Sequence, residues 1–285
     1  MAGSARALDK QGSAHAGSVA GADSGINLDG QISLGVSLYN PSYAARPNNT
    51  GLTLFRYAAH ADLDLIGRRL SIPIDLNSFT DRTRAGALKL APTELDFITG
   101  LTTTWDLGPG AIEGGVRVER DSPIDSAGKG YSQTYVDVRA RYLYSLAAAR
   151  PSVEDTLRGG DIAGYFTLGL FAYNPTYAAR PDNSGLALLR YGAHWEFSAF
   201  DKHVAVGLDG TMFTDRKASN PVGPSELDVT PEIIGRLEPF ELHIAYERDL
   251  PLDRGGLKQT FIYALLGFSF HGFSWDPKKP AAAAP

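Results

Sequence analysis

The chain repeats itself, and the repeat limits the folds that are open to it. Residues 39–60 and 173–194 agree at 16 of 22 positions, at an offset of 134. Later matches follow at offsets of 132 for the motif Glu-Leu-Asp, 128 for Glu-Arg-Asp and 126 for Gln-Thr. Every change of offset is even, and an even change keeps side chains on their original faces in a strand protein. The chain is therefore predicted to hold two copies of one all-β unit, made by tandem duplication.

The repeat divides the chain into five segments. A flexible leader rich in Ala, Gly and Ser precedes the first copy, and a Pro/Ala-rich tail follows the second. Such compositions are typical of segments without a packed core. The predicted segments are the leader at 1–29, the first repeat at 30–146, a linker at 147–160, the second repeat at 161–271 and the tail at 272–285.

The amino-acid composition argues against several structural and functional classes for this chain. The hydrophobic fraction of 43% and the charged fraction of 21% argue against wholesale disorder. With no cysteine, the chain can have no disulfide, thiolate metal site or cysteine nucleophile. A net charge of -5 argues against a nucleic-acid partner. No uncharged apolar stretch is long enough for a membrane-spanning helix.

Within each copy, apolar and polar residues alternate with period two, which predicts strands with one apolar and one polar face. In residues 52–66, for example, Phe55 and Tyr57 share one face while Arg56, His60 and Asp62 share the other. Six strands are predicted per copy, twelve in all. They span about 32–40, 52–66, 70–78, 95–107, 112–120 and 134–145, then 164–174, 187–200, 203–212, 227–238, 240–247 and 260–270.

Short and long connections alternate between these predicted strands. Residues 67–69 and 108–110 form short joints in the first copy, and 201–202 and 238–239 form the equivalent joints in the second. The remaining connections within each copy are longer. All long loops should therefore emerge at one end of the fold, with both chain termini at the other.

This pattern resembles the bacterial outer-membrane β-barrels, which combine an even strand count, short turns at one end, long loops at the other and apolar-out alternation. The resemblance covers residues 31–271, and the aromatic last strand at 263–270 is similar to the terminal strand of such barrels. It implies an antiparallel, up-and-down transmembrane barrel of porin-like architecture in the outer membrane, with the lipid bilayer as partner. A soluble duplicated β-domain that binds a ligand or glycan is the alternative, because alternation alone does not say which face is inside.

If the apolar face meets lipid, the polar face lines the barrel lumen. Eight strands give a filled interior and 16–18 give an aqueous channel. Twelve strands lie between, so the lumen is predicted to be either a narrow hydrophilic pore for small polar solutes or ions, or a salt-bridged plug. The predicted lumen residues are Arg56, His60, Asp62, Asp96, Arg117, Arg139, Arg141, Arg190, His194, Glu196, Asp228 and Arg236.

The repeated motifs gather at the long-loop end. One interpretation of these motifs is structural. Their Pro and Asn residues would fix turns, and their tyrosines would lie in the aromatic belt at the membrane interface. Arg82 and Arg216 are predicted to pair with acids of the Glu-Arg-Asp motif. The alternative is a duplicated ligand or partner site, on a closed barrel that serves as a scaffold or a homo-oligomer. The motif residues are Tyr39, Asn40, Arg46, Asp81, Arg82, Glu119, Asp121, Tyr173, Asn174, Arg180, Asp215, Arg216, Glu247 and Asp249.

Enzymatic chemistry has little support in the sequence. The histidines at 60, 194, 203 and 243 raise the question of catalysis. No hydrolase, zinc-protease, Walker or dinucleotide-binding motif accompanies them. The repeated spacing Asp121/Asp125 and Asp249/Asp253 lacks the ligand density of a dedicated Ca²⁺ loop. No catalytic residue, cofactor or metal site is predicted.

Overall fold

The computed structural model describes the strands and several of their connections. The described residues are 26–40, 53–66, 69–80, 90–108, 110–124, 133–147, 161–174, 187–200, 202–214, 220–252 and 259–275. They form twelve strands: β1 Ile26–Asn40, β2 Thr53–Leu65, β3 Leu70–Thr80, β4 Pro92–Leu107, β5 Gly110–Pro123, β6 Gln133–Ala147, β7 Asp161–Asn174, β8 Ala187–Ala199, β9 Val204–Thr214, β10 Pro224–Leu237, β11 Phe240–Pro251 and β12 Gln259–Trp275. In these ranges there is no helix of the length and apolar character that a membrane crossing needs.

The strands close into one antiparallel barrel. Each strand pairs with its sequence neighbours, and β12 returns to pair with β1 from Ile26↔Trp275 to Asn40↔Thr260. Closure leaves no strand with an unpaired edge. This up-and-down topology confirms the predicted all-β barrel of twelve strands. The described structure does not test duplication as the origin of the two halves, and that part stays a prediction.

Several strands are longer than the sequence pattern predicts. β1 begins at Ile26, inside the predicted leader, and β12 runs to Trp275, inside the predicted tail. The pairing explains the extension, because Asn27 lies opposite both Ser274 and Asp64. Backbone hydrogen bonds continue past the point where hydrophobic alternation ends. β5 and β11 extend for the same reason, to Pro123 and Pro251.

The apolar face lies outside the barrel. Large apolar side chains stay accessible around the circumference, for example Ile32 on β1, Leu168 on β7 and Ile233 on β10, each more than half exposed. The alternate positions are polar and buried, as at Arg56 and Asp96. An apolar surface that encircles the molecule is not stable in water, so the soluble β-domain is rejected. The exterior suits a bilayer, and strands of 11–17 residues reach or exceed the 9–11 residues needed to cross one.

Aromatic side chains mark the short-turn end of this exterior. They lie where strands meet the short turns, and all are exposed. Phe240 at the start of β11 packs edge-on against Phe268 of β12, with ring centroids 5.8 Å apart. Aromatic rings concentrate at the membrane–water interface, so this end lies at one interface. The ring is formed by Trp105, Phe166, Phe200, Phe240 and Phe268.

A small residue is required at Gly35 of β1, where neighbouring strands approach closely. A Cβ there would lie 2.0 Å from the Ala264 carbonyl oxygen and 2.8 Å from the Leu265 Cα. We expect Gly35→Ala to lower the free energy of unfolding by about 1–3 kcal/mol, since the backbone must move. Gly210→Ala is the matched control, because a Cβ at Gly210 meets nothing within 4 Å. The temperature at which each variant loses the gel mobility of the folded barrel measures the effect. Equal temperatures for Gly35→Ala and Gly210→Ala would contradict the prediction.

Candidate functional site

The barrel interior collects the charged residues that the alternation assigns to it. Every predicted lumen residue lies in a strand with its side chain on the inner face, fully or partly buried. His60, Asp62, Glu196 and Arg236 are partly buried. The fully buried members are Arg56, Asp96, Arg117, Arg139, Arg141, Arg190, His194 and Asp228.

Several ion pairs of the barrel interior run along its wall. Arg117 of β5 reaches over β4 to Asp75 of β3, with Nη2 and Oδ2 3.4 Å apart. Gly100 of β4 makes room, because a Cβ there would lie 2.9 Å from the Arg117 Cγ. Long side chains therefore lie flat against the wall, over small residues of the intervening strand.

The same arrangement recurs farther around the barrel. Asp137 of β6 accepts from Arg139 at 3.2 Å and from Arg190 of β8 at 3.4 Å, so β7 is bridged. Arg236 of β10 reaches Glu196 of β8 with Nη1–Oε1 at 3.0 Å and Nη2–Oε2 at 3.3 Å. The Asp137–Arg190 and Glu196–Arg236 pairs therefore link strands that are next but one to each other.

The interior histidines contact carboxylates. His60 bonds Asp62 at 2.9 Å through Nε2 and bonds Asp75 through Nδ1. His243 contacts Glu232 at 2.8 Å, while Nδ1 of His194 lies 4.0 Å from the same carboxylate. These contacts make the three side chains members of charge networks. They do not identify a nucleophile that a histidine would activate.

His203, one of the four histidines discussed for enzymatic chemistry, lies outside the lumen. It lies in the turn between β8 and β9, exposed, with Nδ1 3.0 Å from the Arg236 carbonyl oxygen. The predicted strand began one residue too early, and a turn residue has no assigned face.

Equivalent positions of the two sequence repeats make equivalent contacts at the long-loop end. The Tyr57 hydroxyl donates to the Leu90 carbonyl at 2.8 Å, and the Tyr191 hydroxyl donates to the Val222 carbonyl at 2.9 Å. These tyrosines tie the connections before β4 and β10 to the barrel. Behind them, the guanidinium of Arg56 faces the Phe79 ring at 5.6 Å, as that of Arg190 faces Phe213 at 5.8 Å.

Two groups of buried carboxylates lie below the long loops. We call them the first acidic cluster (Asp96, Glu119 and Asp121) and the second acidic cluster (Glu226, Asp228 and Asp249). In each cluster, one oxygen from every member lies within 4.8 Å of the others. All six side chains are at most 5% exposed. The clusters concentrate negative charge at this end of the interior.

Four of the acidic motif residues have buried side chains in the strands, and two of them, Asp121 and Asp249, lie beyond the predicted strand ends. Glu119 and Asp121 lie in β5, and Glu247 and Asp249 lie in β11, all buried. Strand extension accounts for the two aspartates, since Asp121 still pairs with Asp96 and Asp249 with Asp228.

The other motif residues are described less fully. Tyr39, Asn40, Tyr173 and Asn174 belong to the ends of β1 and β7, with only their backbone described. Six motif residues lie outside the described residues, so the predicted pairing of Arg82 and Arg216 with the acids stays a prediction. These six are Arg46, Asp81, Arg82, Arg180, Asp215 and Arg216.

Glu94 and Glu226 are interior acids that were not among the predicted site residues. Both are buried, at the start of β4 and β10. The signal was present, because each precedes a predicted lumen aspartate by two residues and so shares its face. Interior Tyr135 carried the same signal, because it precedes the predicted lumen residue Arg139 by four residues in β6 and so shares its face.

Comparisons with known proteins give a likeness of shape alone. No protein-family model and no curated protein matches the sequence. LpxR from Salmonella typhimurium matches with a TM-score of 0.45 and 9% identity, over 84% of this chain and 100% of that chain. An outer membrane channel from Pseudomonas putida F1 matches with a TM-score of 0.43 and 14% identity, over 86% and 95%. The translocator domain of autotransporter NalP from Neisseria meningitidis matches with a TM-score of 0.41 and 11% identity, over 94% and 95%.

The membrane assignment follows from the chain's own pairing and exterior. A closed antiparallel barrel with an apolar outer face, a polar inner face and an aromatic ring is the architecture of bacterial outer-membrane β-barrels. The described strands have all of these features. The described strands therefore have the fold of an outer-membrane β-barrel, which confirms the architecture that the sequence resemblance implied.

Proposed function

We propose that the barrel forms a narrow hydrophilic pore for small polar solutes or ions. The observation that carries this proposal is the course of the interior ion pairs. Arg117–Asp75 and Arg190–Asp137 join strands only two apart. Pairs held along the wall in this way do not themselves cross the barrel axis, whereas a plug needs pairs across the diameter.

Mixed charge along this wall defines the solutes that the pore would accept. Arg56, Arg139 and Arg190 contribute positive charge, and the acidic clusters contribute negative charge. A lining of both signs favours small polar solutes without strong discrimination, and the rings of charge set the ion preference.

A closed barrel that acts as a scaffold is the second candidate. The deep burial of the lumen charges favours it, since Arg190 and Asp137 are only 7% and 5% exposed. Its functional surface would then be the repeated long loops, which would bind a protein partner or a second copy of the chain.

Single-channel conductance in a planar bilayer distinguishes the two candidates. We expect stable steps from the detergent-purified protein after reconstitution. Arg56→Ala and Arg190→Ala should each raise the ratio of cation to anion permeability, because each removes a positive charge from the wall. Lys202→Ala is a matched control, because Lys202 lies exposed in a short turn outside the lumen. If the protein inserts and shows heat-modifiable mobility but gives no conductance steps, the pore is rejected and the scaffold is favoured.

A further inference from the structure

Arg56 is a buried arginine that forms no ion pair with a carboxylate among the described residues. Its side chain is 2% exposed, and its Nε and Nη2 atoms donate to the Asn77 side-chain oxygen at 3.2 and 2.9 Å. Its guanidinium also lies 5.6 Å from the ring centroids of Phe79 and Tyr263. A buried charge loses its hydration, and only an opposite charge compensates for the loss well. Arg56 therefore differs from the arginines whose ion pairs run along the wall.

The equivalent arginine of the second repeat shows which group Arg56 lacks. Arg190 corresponds to Arg56 at the offset of 134, and it reaches from β8 across β7 to Asp137 of β6 at 3.4 Å. Arg56 reaches from β2 across β1 to β12 in the same way, and there it meets Tyr263. Tyr263 is the counterpart of Asp137 at the offset of 126. A phenol therefore occupies the position where the other half of the barrel has a carboxylate.

Two further polar groups beside Arg56 make no hydrogen bond within the part of the chain that the structure describes. They are Nδ2 of Asn77 and the hydroxyl of Tyr263, on side chains that are 1% and 4% exposed. Buried polar groups nearly always have a hydrogen-bond partner, so such groups require an explanation. Because the Asn77 oxygen accepts from Arg56, its nitrogen remains as a donor. One guanidinium, one amide and one hydroxyl can thus donate to an acceptor that enters between them.

We propose that Arg56, Asn77 and Tyr263 bind the carboxylate of a small organic solute, which takes the role that Asp137 has beside Arg190. The proposal deepens the pore function and rests on it, because the solute must enter the lumen. A guanidinium presents its N–H groups in a planar fork that matches the two oxygens of a carboxylate. The amide and the hydroxyl donate to the same two oxygens.

The surroundings of Tyr263 favour a solute whose carboxylate carries an apolar group. Tyr263 belongs to a buried apolar cluster with Ala245 and Leu265 on the inner face of β11 and β12. In the first repeat the counterparts of Ala245 and Leu265 are Arg117 and Arg139, at offsets of 128 and 126. The apolar character is therefore confined to the wall beside Arg56, where it can contact an aromatic or aliphatic group of the solute.

Isothermal titration of the full-length protein in detergent with sodium benzoate tests the proposal. We expect one benzoate per chain. Arg56→Met should abolish binding, because it removes the cation, and Tyr263→Asp should abolish it by giving Arg56 a carboxylate within the chain. Tyr263→Phe should weaken binding about tenfold, the loss expected for one hydrogen bond to a charged group. Arg120→Met is the control and should bind like the wild type, because Arg120 is exposed and donates to Thr134.

Analogues of benzoate test the same site without a change in the protein. Benzamide has the shape of benzoate but no charge and should not bind, and acetate has no ring and should bind more weakly. Absence of benzoate binding by the folded wild type would overturn the proposal, and so would equal binding of benzoate and benzamide. Unchanged binding by folded Tyr263→Asp would overturn it as well, and acetate binding as tight as that of benzoate would reject the apolar contact.

Conductance separates the failure of this site from the failure of the pore. Stable conductance steps from a protein that does not bind benzoate would retain the pore and reject the carboxylate site. Benzoate binding by a protein that inserts without conductance steps would reject the pore and support a site that solutes reach from one end of the lumen.

Discussion

Replacing Leu168 with Arg will lower the free energy of unfolding of the barrel by about 2–4 kcal/mol. Leu168 lies at the middle of β7, between Ala140 of β6 and Tyr191 of β8, with 58% of its surface exposed on the outer face. In water such a change would be almost neutral, because the position is accessible. In the membrane it puts a guanidinium among lipid chains. Urea denaturation in lipid vesicles, followed by tryptophan fluorescence, measures the difference.

Val222→Arg is the matched control for this experiment. Val222 is 57% exposed, like Leu168, but it lies in the connection between β9 and β10 at the long-loop end. Outside the bilayer the same change should alter the free energy of unfolding by no more than about 0.5 kcal/mol. Equal losses in the two variants would contradict the assignment of the β7 exterior to lipid.

The fold could be predicted from the sequence because its main signals are local. Alternation around Arg56 or Arg139 separates two faces, and the even offsets between repeats require the same period in both halves. Alternating short and long connections then give the end at which each loop emerges. These three signals suffice to give the number of strands, their directions and the end of the fold at which each loop emerges. The exact strand ends were missed, because residues such as Asn27 are held by pairing with β12 and not by hydrophobic pattern.

The site was less predictable, because its contacts depend on register. Alternation places Arg117 and Asp75 on the inner face but does not say that Arg117 crosses β4 to reach Asp75. The opposition of Asp96 and Asp121 likewise depends on how β4 and β5 are aligned. A shift by two residues would preserve both faces and separate these carboxylates. The sequence could therefore predict which residues line the interior. Which of them lie together in the acidic clusters is seen only from the pairing of the strands.

Replacing Asp137 with Ala will lower the free energy of unfolding by about 3–5 kcal/mol, the loss expected when one partner of a buried ion pair is removed. Asp137 serves Arg139 and Arg190 together, at 3.2 and 3.4 Å, and the three side chains are 5–8% exposed. Its removal leaves the two guanidiniums close together without the carboxylate that they share. Urea denaturation in vesicles again gives the measurement.

Glu241→Ala tests whether burial causes the loss. Glu241 pairs with Arg236 at 3.1 Å, but both side chains are about one-fifth exposed. A pair with that access to water contributes about 0–1 kcal/mol, so this variant should lose far less than Asp137→Ala. If Asp137→Ala also loses less than about 1 kcal/mol, water solvates the arginines directly. The wall pairs would then contribute little to stability, and their retention in the lumen would have to be explained by the solutes that pass them.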